Sequence, residues 1–326
     1  MQAVVLQGAG GPEVLRVREV PTPEPGLEQV RVRVRSAGLN RSDLLQRRGR
    51  YPAPPGSPSD IPGLEFAGVV EALGPGASMW RVGQRVYGIT GGAAQAEYVV
   101  SHERMLAPIP DALDDVAAGG VPGVFMTVLD ALFAQADLRS GESVLIHAVG
   151  SGIGTAAVQL ACAASARTIG TSRTRDKLDR ARAIGLDVGI EGADFASAVM
   201  EHTEGQGANV VLDAVGGAYV AADLEALAMN GRVVVLATQA GGEVQLPLGH
   251  LMGKRMRLMG STLRPRPLEE KILLTRMFAA QVNPLLASGR VRPIVDSVFD
   301  LAQVAEAHAR LESNQTFGKV ILRLAS

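Results

Sequence analysis

Ser143-Val-Leu-Ile-His-Ala-Val-Gly-Ser-Gly-Ile-Gly-Thr-Ala-Ala-Val-Gln-Leu-Ala161 is the stretch on which the reading of this chain turns. The apolar run Val144 to Ile146 has the composition of a strand buried on both faces. Small residues follow, Ala148 to Gly154, and then an Ala-rich helix from Thr155 to Ala164. Strand, Gly-rich turn and helix together let a backbone approach a pyrophosphate and hold it on the free N–H groups of the helix N-terminus. On a strict G-x-G-x-x-G frame ending at Gly154, Val149 and Ser151 fill the first two glycine positions. Small residues at such a turn also serve plain helix–sheet packing, so the surroundings decide.

Those surroundings continue the same pattern. Arg167 to Thr171 reads as a second strand, with a charged helix from about Arg175 to Ile184. Strands follow at Val188–Ile190, Asn209–Asp213 and Arg232–Leu236, with a helix after the first and another from Ala218 to Met229. Short apolar strands alternating with helices predict a doubly wound parallel sheet. In such folds NAD is marked by a carboxylate about 20 residues past the glycines. Here the second strand runs into Gly170-Thr-Ser-Arg-Thr-Arg-Asp-Lys177, with Arg173, Arg175 and Lys177 where the acid would stand. Cations there suit a 2′-phosphate, so NADPH is expected. The alternative is a solvated basic helix start, although cations are disfavoured at a helix N-terminus.

A chain of 326 residues is about two domains long. A net charge of −1 sets up no broad field for nucleic acid or a membrane surface. The single cysteine, Cys162, rules out an internal disulfide and reads as a small core residue. There is no basic-then-apolar leader and no apolar run long enough to span a bilayer, so a cytoplasmic protein is expected.

The N-terminal part has another architecture. Strand signals at Ala3–Leu6, Val14–Val20, Gly68–Ala72, Arg85–Tyr87 and Ala96–Val100 are separated by Gly and Pro. Val30-Arg-Val-Arg-Val-Arg35 alternates, which predicts valines inward and arginines in water. Strands without helical crossovers imply an antiparallel barrel-like domain, ending near Pro122 where Val124 to Ala136 turns helical. Asp300-Leu-Ala-Gln303 opens a helix as a capping box, with His308 a packed or rim residue on its apolar side. Gly318 to Leu324 is a last strand, best buried by returning to the N-terminal sheet. The domains expected are therefore 1–122 completed by 290–326, and 123–289 as the nucleotide-binding domain.

This order resembles the medium-chain dehydrogenase/reductase superfamily, and within it the zinc-free quinone oxidoreductases, especially the p53-inducible branch. The resemblance rests on Ala37-Gly-Leu-Asn-Arg-Ser-Asp43, Gln46-Arg-Arg-Gly-Arg-Tyr51, Pro62-Gly-Leu-Glu-Phe-Ala-Gly68, Gly83-Gln-Arg-Val-Tyr-Gly88, the Val144–Ala161 stretch, Asp213-Ala-Val-Gly-Gly217 and Phe317-Gly-Lys-Val320. It implies a Rossmann domain beside a GroES-like β-barrel domain. Where zinc members carry Cys, His and Cys, this chain has Asn40, Leu64 and Gly123, none a usable ligand, so no metal site is expected.

What the resemblance implies for the site is NADPH-dependent reduction of a quinone, with Asn40 and Tyr51 as polar residues able to bond the acceptor. On their residues alone, Asn40 is equally a turn residue and Tyr51 a loop aromatic. Asp43 is expected to orient its loop. Nucleotide-lining positions carry over to Thr127, Gly150, Ser151, Gly152, Ile153, Arg173, Lys177, Ala237, Thr238, Leu263, Arg264 and Asn314. A tyrosine that relatives often place near the 2′-phosphate is Gly192 here, and Glu191 opposes an anion. Two other readings stand beside this one: a reductase of α,β-unsaturated carbonyls, and a catalytically silent, crystallin-like NADPH-binding protein. The resemblance also implies a homodimer through a sheet edge at Lys254–Thr262, where Met256 and Leu258 alternate with arginines.

Overall fold

The structure, a computed structural model, describes residues 1–324. It divides into two compact units, Met1–Met126 together with the chain from Leu263 onward, and Thr127–Thr262.

In the second unit six strands pair in parallel, in the order Val188–Glu191, Arg167–Ser172, Ser143–Ile146, Ala208–Asp213, Leu227–Val235, Arg257–Gly260. This is the Rossmann order, with the Gly-rich turn on the first strand of the series. Leu145, Ile169, Val211 and Val233 are fully buried, as expected for strands covered by helices on both faces. One boundary moves. The helix begun at Ala218 stops at Ala226, because Leu227 is taken into register with Ala208 and its carbonyl accepts from Lys254 Nζ at 2.6 Å. The segment 124–136 is an α-helix, Pro122–Val128, followed by π-helical turns, Leu129–Gln135. Cys162 is exposed on the helix Gly152–Ala163 and is not a core residue.

The first unit is built on a seven-stranded sheet: Val295–Asp300, Lys319–Arg323, Gln29–Gly38, Glu65–Leu73, Arg85–Ile89, Leu106–Pro108, with Tyr98–His102 also on Gln29–Gly38. All neighbours are antiparallel except the first two. Val30, Val32 and Val34 are buried as their alternation predicts. The arginines between them are only half in water. Arg31 pairs with Glu71 at 2.6 Å and Glu24 at 2.8 Å, and the Arg31 and Arg33 guanidinium groups lie 5.7 and 6.0 Å from the Tyr98 ring centre. The last strand does return here, its Ile321 opposite Gly38.

The segment from 263 to 289 lies with this first unit, whereas the sequence reading assigns it to the nucleotide-binding domain. Its helix Leu268–Gln281 buries Phe278 edge-on against Tyr87, 5.5 Å between ring centres. Asn283 Nδ2 donates to Pro108 O at 2.9 Å, and Arg104 pairs with Glu269 at 2.7 Å. Sequence patterning reveals no element between 263 and 299, because the buried positions Ile272, Leu274, Thr275 and Phe278 make no regular apolar stripe.

Candidate active site

The nucleotide side is set by steric contacts around the turn after Ile146. A Cβ on Gly154 would lie 2.4 Å from Ala148 O and 2.6 Å from Val149 Cα, so helix and strand approach this closely only over glycine. Ser151 caps the helix Gly152–Ala163, its Oγ accepting from Gly154 N at 2.9 Å. The N–H groups of Gly152 and Ile153 have no acceptor among the described residues. They are the open first-turn donors that an anion needs.

Gly150 answers to a side chain from the next helix. A Cβ there would stand 2.7 Å from Lys177 Cδ and 3.2 Å from Lys177 Cγ. The lysine stem therefore lies across the Gly-rich turn. Arg173 is exposed and has no hydrogen-bonding or ionic partner among the described residues, whereas Arg175 reaches Asp179 at 3.5 Å. The strand Arg167–Ser172 ends without a carboxylate, but Glu191 stands in register with Ser172 on the neighbouring strand and adds one negative charge there. These residues fit a dinucleotide with a 2′-phosphate: open N–H donors, a close-approach turn, and Arg173 and Lys177 against Glu191. Thr127 is on the helix Pro122–Val128, and Ala237 and Thr238 follow the strand Leu227–Val235. Gly216 packs on them, its added Cβ falling 2.2 Å from Ala237 O.

In the first unit the predicted polar residues sit in a buried network that the sequence reading did not anticipate. Asn40 caps the helix Arg41–Arg47 through its backbone, its N–H donating to Asp43 Oδ2 at 2.7 Å. Its side-chain Nδ2 donates to Glu65 Oε1 at 2.9 Å and Gly38 O at 3.2 Å, and its Oδ1 accepts from Lys319 Nζ at 2.8 Å. The amide orientation follows from chemistry, since an ammonium only donates and a carboxylate only accepts. Both Nδ2 protons are used, so toward any further partner the amide has only its Oδ1 to offer: it is an acceptor, not a donor.

Glu65 is fully buried. Its Oε1 accepts from Lys319 at 2.6 Å and its Oε2 from Gly123 N at 2.7 Å. Two of the three positions matched to zinc ligands, Asn40 and Gly123, thus converge on Glu65. Among the described residues no group of three or more His, Cys, Asp or Glu side chains is placed to hold a metal ion. Asp43 is fully buried, its Oδ1 has no partner among the described residues, and burial pushes its carboxyl up to about 6 against the stabilising Asn40 N–H and Lys319 charge. Its bond to Asn40 N makes it the loop-orienting residue.

Tyr51 is half-buried, and its hydroxyl has no partner among the described residues. Burial raises its pKa, with Arg264 opposing, which leaves a protonated donor at neutral pH. Arg264, expected on the nucleotide, has its guanidinium 5.0 Å from the Tyr51 ring centre. It donates to Tyr51 O at 3.1 Å, Gly91 O at 2.7 and 2.9 Å, and Gln46 Oε1 at 2.7 Å. Its side chain thus holds Tyr51 in place. Asn314 has a left-handed backbone, φ 60°, and its Oδ1 accepts from Arg41. Leu263 is half-buried beside Arg264. Sequence reasoning missed Glu65, Lys319 and Gln46 as site residues, although each stands in a motif that carries the family resemblance.

Comparison with known proteins agrees with this architecture. Residues 26–111 match the alcohol dehydrogenase GroES-like domain, and 152–278 match the family described as zinc-binding dehydrogenase. A quinone oxidoreductase of Pseudomonas aeruginosa is 35% identical over 323 residues, 96% of each chain. A human quinone oxidoreductase is 31% identical, covering 99% of this chain and 98% of its own. Among solved structures, the Escherichia coli quinone oxidoreductase complexed with NADPH superposes with a TM-score of 0.89 at 27% identity, covering 99% of this chain and all of its own. A Pseudomonas syringae quinone oxidoreductase gives the same TM-score at 31% identity and 99% coverage of both.

Proposed function

This chain belongs to the quinone oxidoreductases of the medium-chain dehydrogenase/reductase superfamily, and on that premise we propose that it is an NADPH-dependent enzyme that reduces quinones without a metal ion. The observation that carries the reading is the Gly-rich turn with open N–H donors at Gly152 and Ile153, flanked by Arg173 and Lys177 where an NAD site would place a carboxylate. Gly150 to Ile153 receive the pyrophosphate, Arg173 and Lys177 the 2′-phosphate, and Thr127, Ala237 and Thr238 the nicotinamide half. Leu263 and Asn314, which the family resemblance also matches to the nucleotide, belong to the first unit, where the Asn314 Oδ1 accepts from Arg41.

Bound NADPH supplies the hydride. The chain's own work is to hold the acceptor and stabilise the negative charge that develops on its oxygen, since an electron-poor quinone needs little other activation. Tyr51 donates the hydrogen bond to that oxygen. Arg264 presents the tyrosine, its positive charge lying against the ring that carries the donating hydroxyl. Asn40 accepts at Oδ1, which orders the hydroxyl of the reduced product or a water. Asn40 and Gly123 stand where the superfamily's metal ligands would be, and with them bonded to Glu65 the positions serve a polar network. The edge strand Arg257–Gly260, with Leu258 38% exposed, supports a homodimer. The lone free Cys162 fits a cytoplasmic location.

Steady-state NADPH oxidation with a quinone panel and an enone panel, both with a zinc chelator present, tests the reading. Turnover with quinones is expected. Turnover with enones alone moves the assignment to a reductase of unsaturated carbonyls, and tight NADPH binding without turnover leaves a binding protein.

A further inference from the structure

The buried ammonium of Lys319 is not used by the reaction as described, yet it touches the residue assigned to the acceptor. The Phe317-Gly-Lys-Val320 turn brings it there. Gly318 has a left-handed φ of 95°, and a Cβ on it would fall 2.1 Å from Ile294 O, so only glycine lets the chain swing into its last strand at this point. That strand pairs with Gln29–Gly38, and Leu39 N donates to Val320 O at 2.9 Å, which registers Lys319 beside Asn40. Lys319 is 4% exposed.

Its three protons are all committed: to Leu39 O at 2.6 Å, Asn40 Oδ1 at 2.8 Å and Glu65 Oε1 at 2.6 Å. An ammonium has no fourth donor, so Lys319 can neither hydrogen-bond an acceptor nor deliver a proton without abandoning a buried partner. Whatever it contributes must pass through a neighbour. Of the three, Leu39 O is backbone and Glu65 is itself enclosed, with Gly123 N on its other oxygen. Asn40 alone among them is assigned to the reacting molecule.

We propose that Lys319 is a positioning residue for the reaction: with Glu65 it fixes the Asn40 amide in one of its two flipped orientations, so that an acceptor oxygen, never an N–H, faces the reduced quinone. Without that pair, Gly38 O at 3.2 Å from Nδ2 is left to hold an amide whose two orientations are nearly isosteric. The wrong one turns a donor toward the hydroxyl of the product. The Glu65–Lys319 pair is thus a clamp on hydrogen-bond polarity. This inference rests on the reading that Asn40 faces the acceptor.

Two variants test it, Lys319→Met and the charge-balanced Glu65→Gln/Lys319→Met, because removing one member of a buried pair strands the other and can prevent folding. The first readout is the Asn40 side-chain amide pair in the nuclear magnetic resonance spectrum of 15N-Asn-labelled protein, identified by its loss in Asn40→Leu. Loss of its exchange protection is expected in the charge-balanced variant, where Nδ2 loses its carboxylate acceptor as well as the lysine on Oδ1; an unchanged pair there overturns the inference. The second is turnover of the charge-balanced variant with and without Asn40→Leu. With Asn40 present, kcat falls about tenfold or more while NADPH affinity stays within about twofold, a charge-assisted bond being worth roughly that factor. In the Asn40→Leu background no further fall is expected. Equal losses in both backgrounds mean a merely structural lysine and overturn the proposal. If Asn40→Leu alone keeps full turnover, the role assigned to Asn40 fails, and the amide signal still judges the clamp.

Discussion

Substituting Gly150→Ala probes the nucleotide site through the contact that explains the glycine. The new methyl would sit 2.7 Å from Lys177 Cδ, and ordinary carbon contacts are about 3.5–4.0 Å, so the stem must retreat by about 1 Å. A lysine stem can move at little cost to stability, and the backbone around Gly150 keeps its own bonds. The displaced ammonium is what changes. A charge-assisted contact to the 2′-phosphate is worth about 1.5–3 kcal/mol, which is roughly tenfold to a hundredfold in affinity. NADH lacks that phosphate, so it reports any common loss caused by crowding at the pyrophosphate. Fluorescence titration of both cofactors against the parent and Gly150→Ala should therefore show NADPH weakened about tenfold or more beyond NADH. Lys177→Ala should give the same selective loss, and the double variant should add little, because both substitutions remove one interaction. Equal weakening of NADPH and NADH, or full additivity in the double variant, would refute the argument that Gly150 is there to admit Lys177.

Tyr51→Phe should lower kcat for quinones by about tenfold or more with NADPH affinity unchanged, since only the hydroxyl on the acceptor is lost; stopped-flow turnover checks it, and full activity makes Tyr51 a wall of the site. His308 is fully buried, both ring nitrogens have no hydrogen-bond partner among the described residues, and burial, aided by the Arg47 charge, holds its pKa down to about 3. The unfolded chain protonates it near 6.5, so its contribution is complete above that pH and is lost on acidification toward 3. Between pH 7 and 5 the loss is about 2 kcal/mol. Asp43 and Asp223, raised by burial to about 6, act in the opposite direction over the same range. The measurement is therefore the urea-unfolding difference between parent and His308→Leu, which should shift by that amount in favour of the variant on going to pH 5. A pH-independent difference would remove His308 from the account. The proposed self-pairing of the edge strand should be broken by Leu258→Pro, which deletes a ladder donor; light scattering checks it, with twice 34.0 kDa expected for the parent and 34.0 kDa for the variant.

Much of this was legible in the residues. The parallel sheet could be read from apolar runs spaced by helices, because a strand covered on both faces must be apolar throughout, as Val144 to Ile146 and Val210 to Leu212 are. The cations after the second strand could be read as well, since the local order Arg173, Arg175, Lys177 already contains the charge. The return of the last strand followed from burial: a lone apolar strand has to pair somewhere.

Polarity and partnership were not legible, because they depend on residues distant in the chain. Gly38 O, two residues back, takes one Asn40 Nδ2 proton, but the rest of the choice is made at a distance. Glu65, 25 residues on, and Lys319, 279 residues on, decide it by each having only one hydrogen-bonding sign. For Arg264 the family resemblance implies a nucleotide-lining position, and the residues around it in sequence do not reveal that Gly91, Gln46 and the Tyr51 ring take up its guanidinium. The helix Leu268–Gln281 left no clear stripe, and Phe278 is understood only against Tyr87. Periodicity is a local property and survives in the sequence. Which hydrogen bond a buried polar group is left to offer depends on how many its neighbours have already taken, and only the folded chain brings those neighbours together.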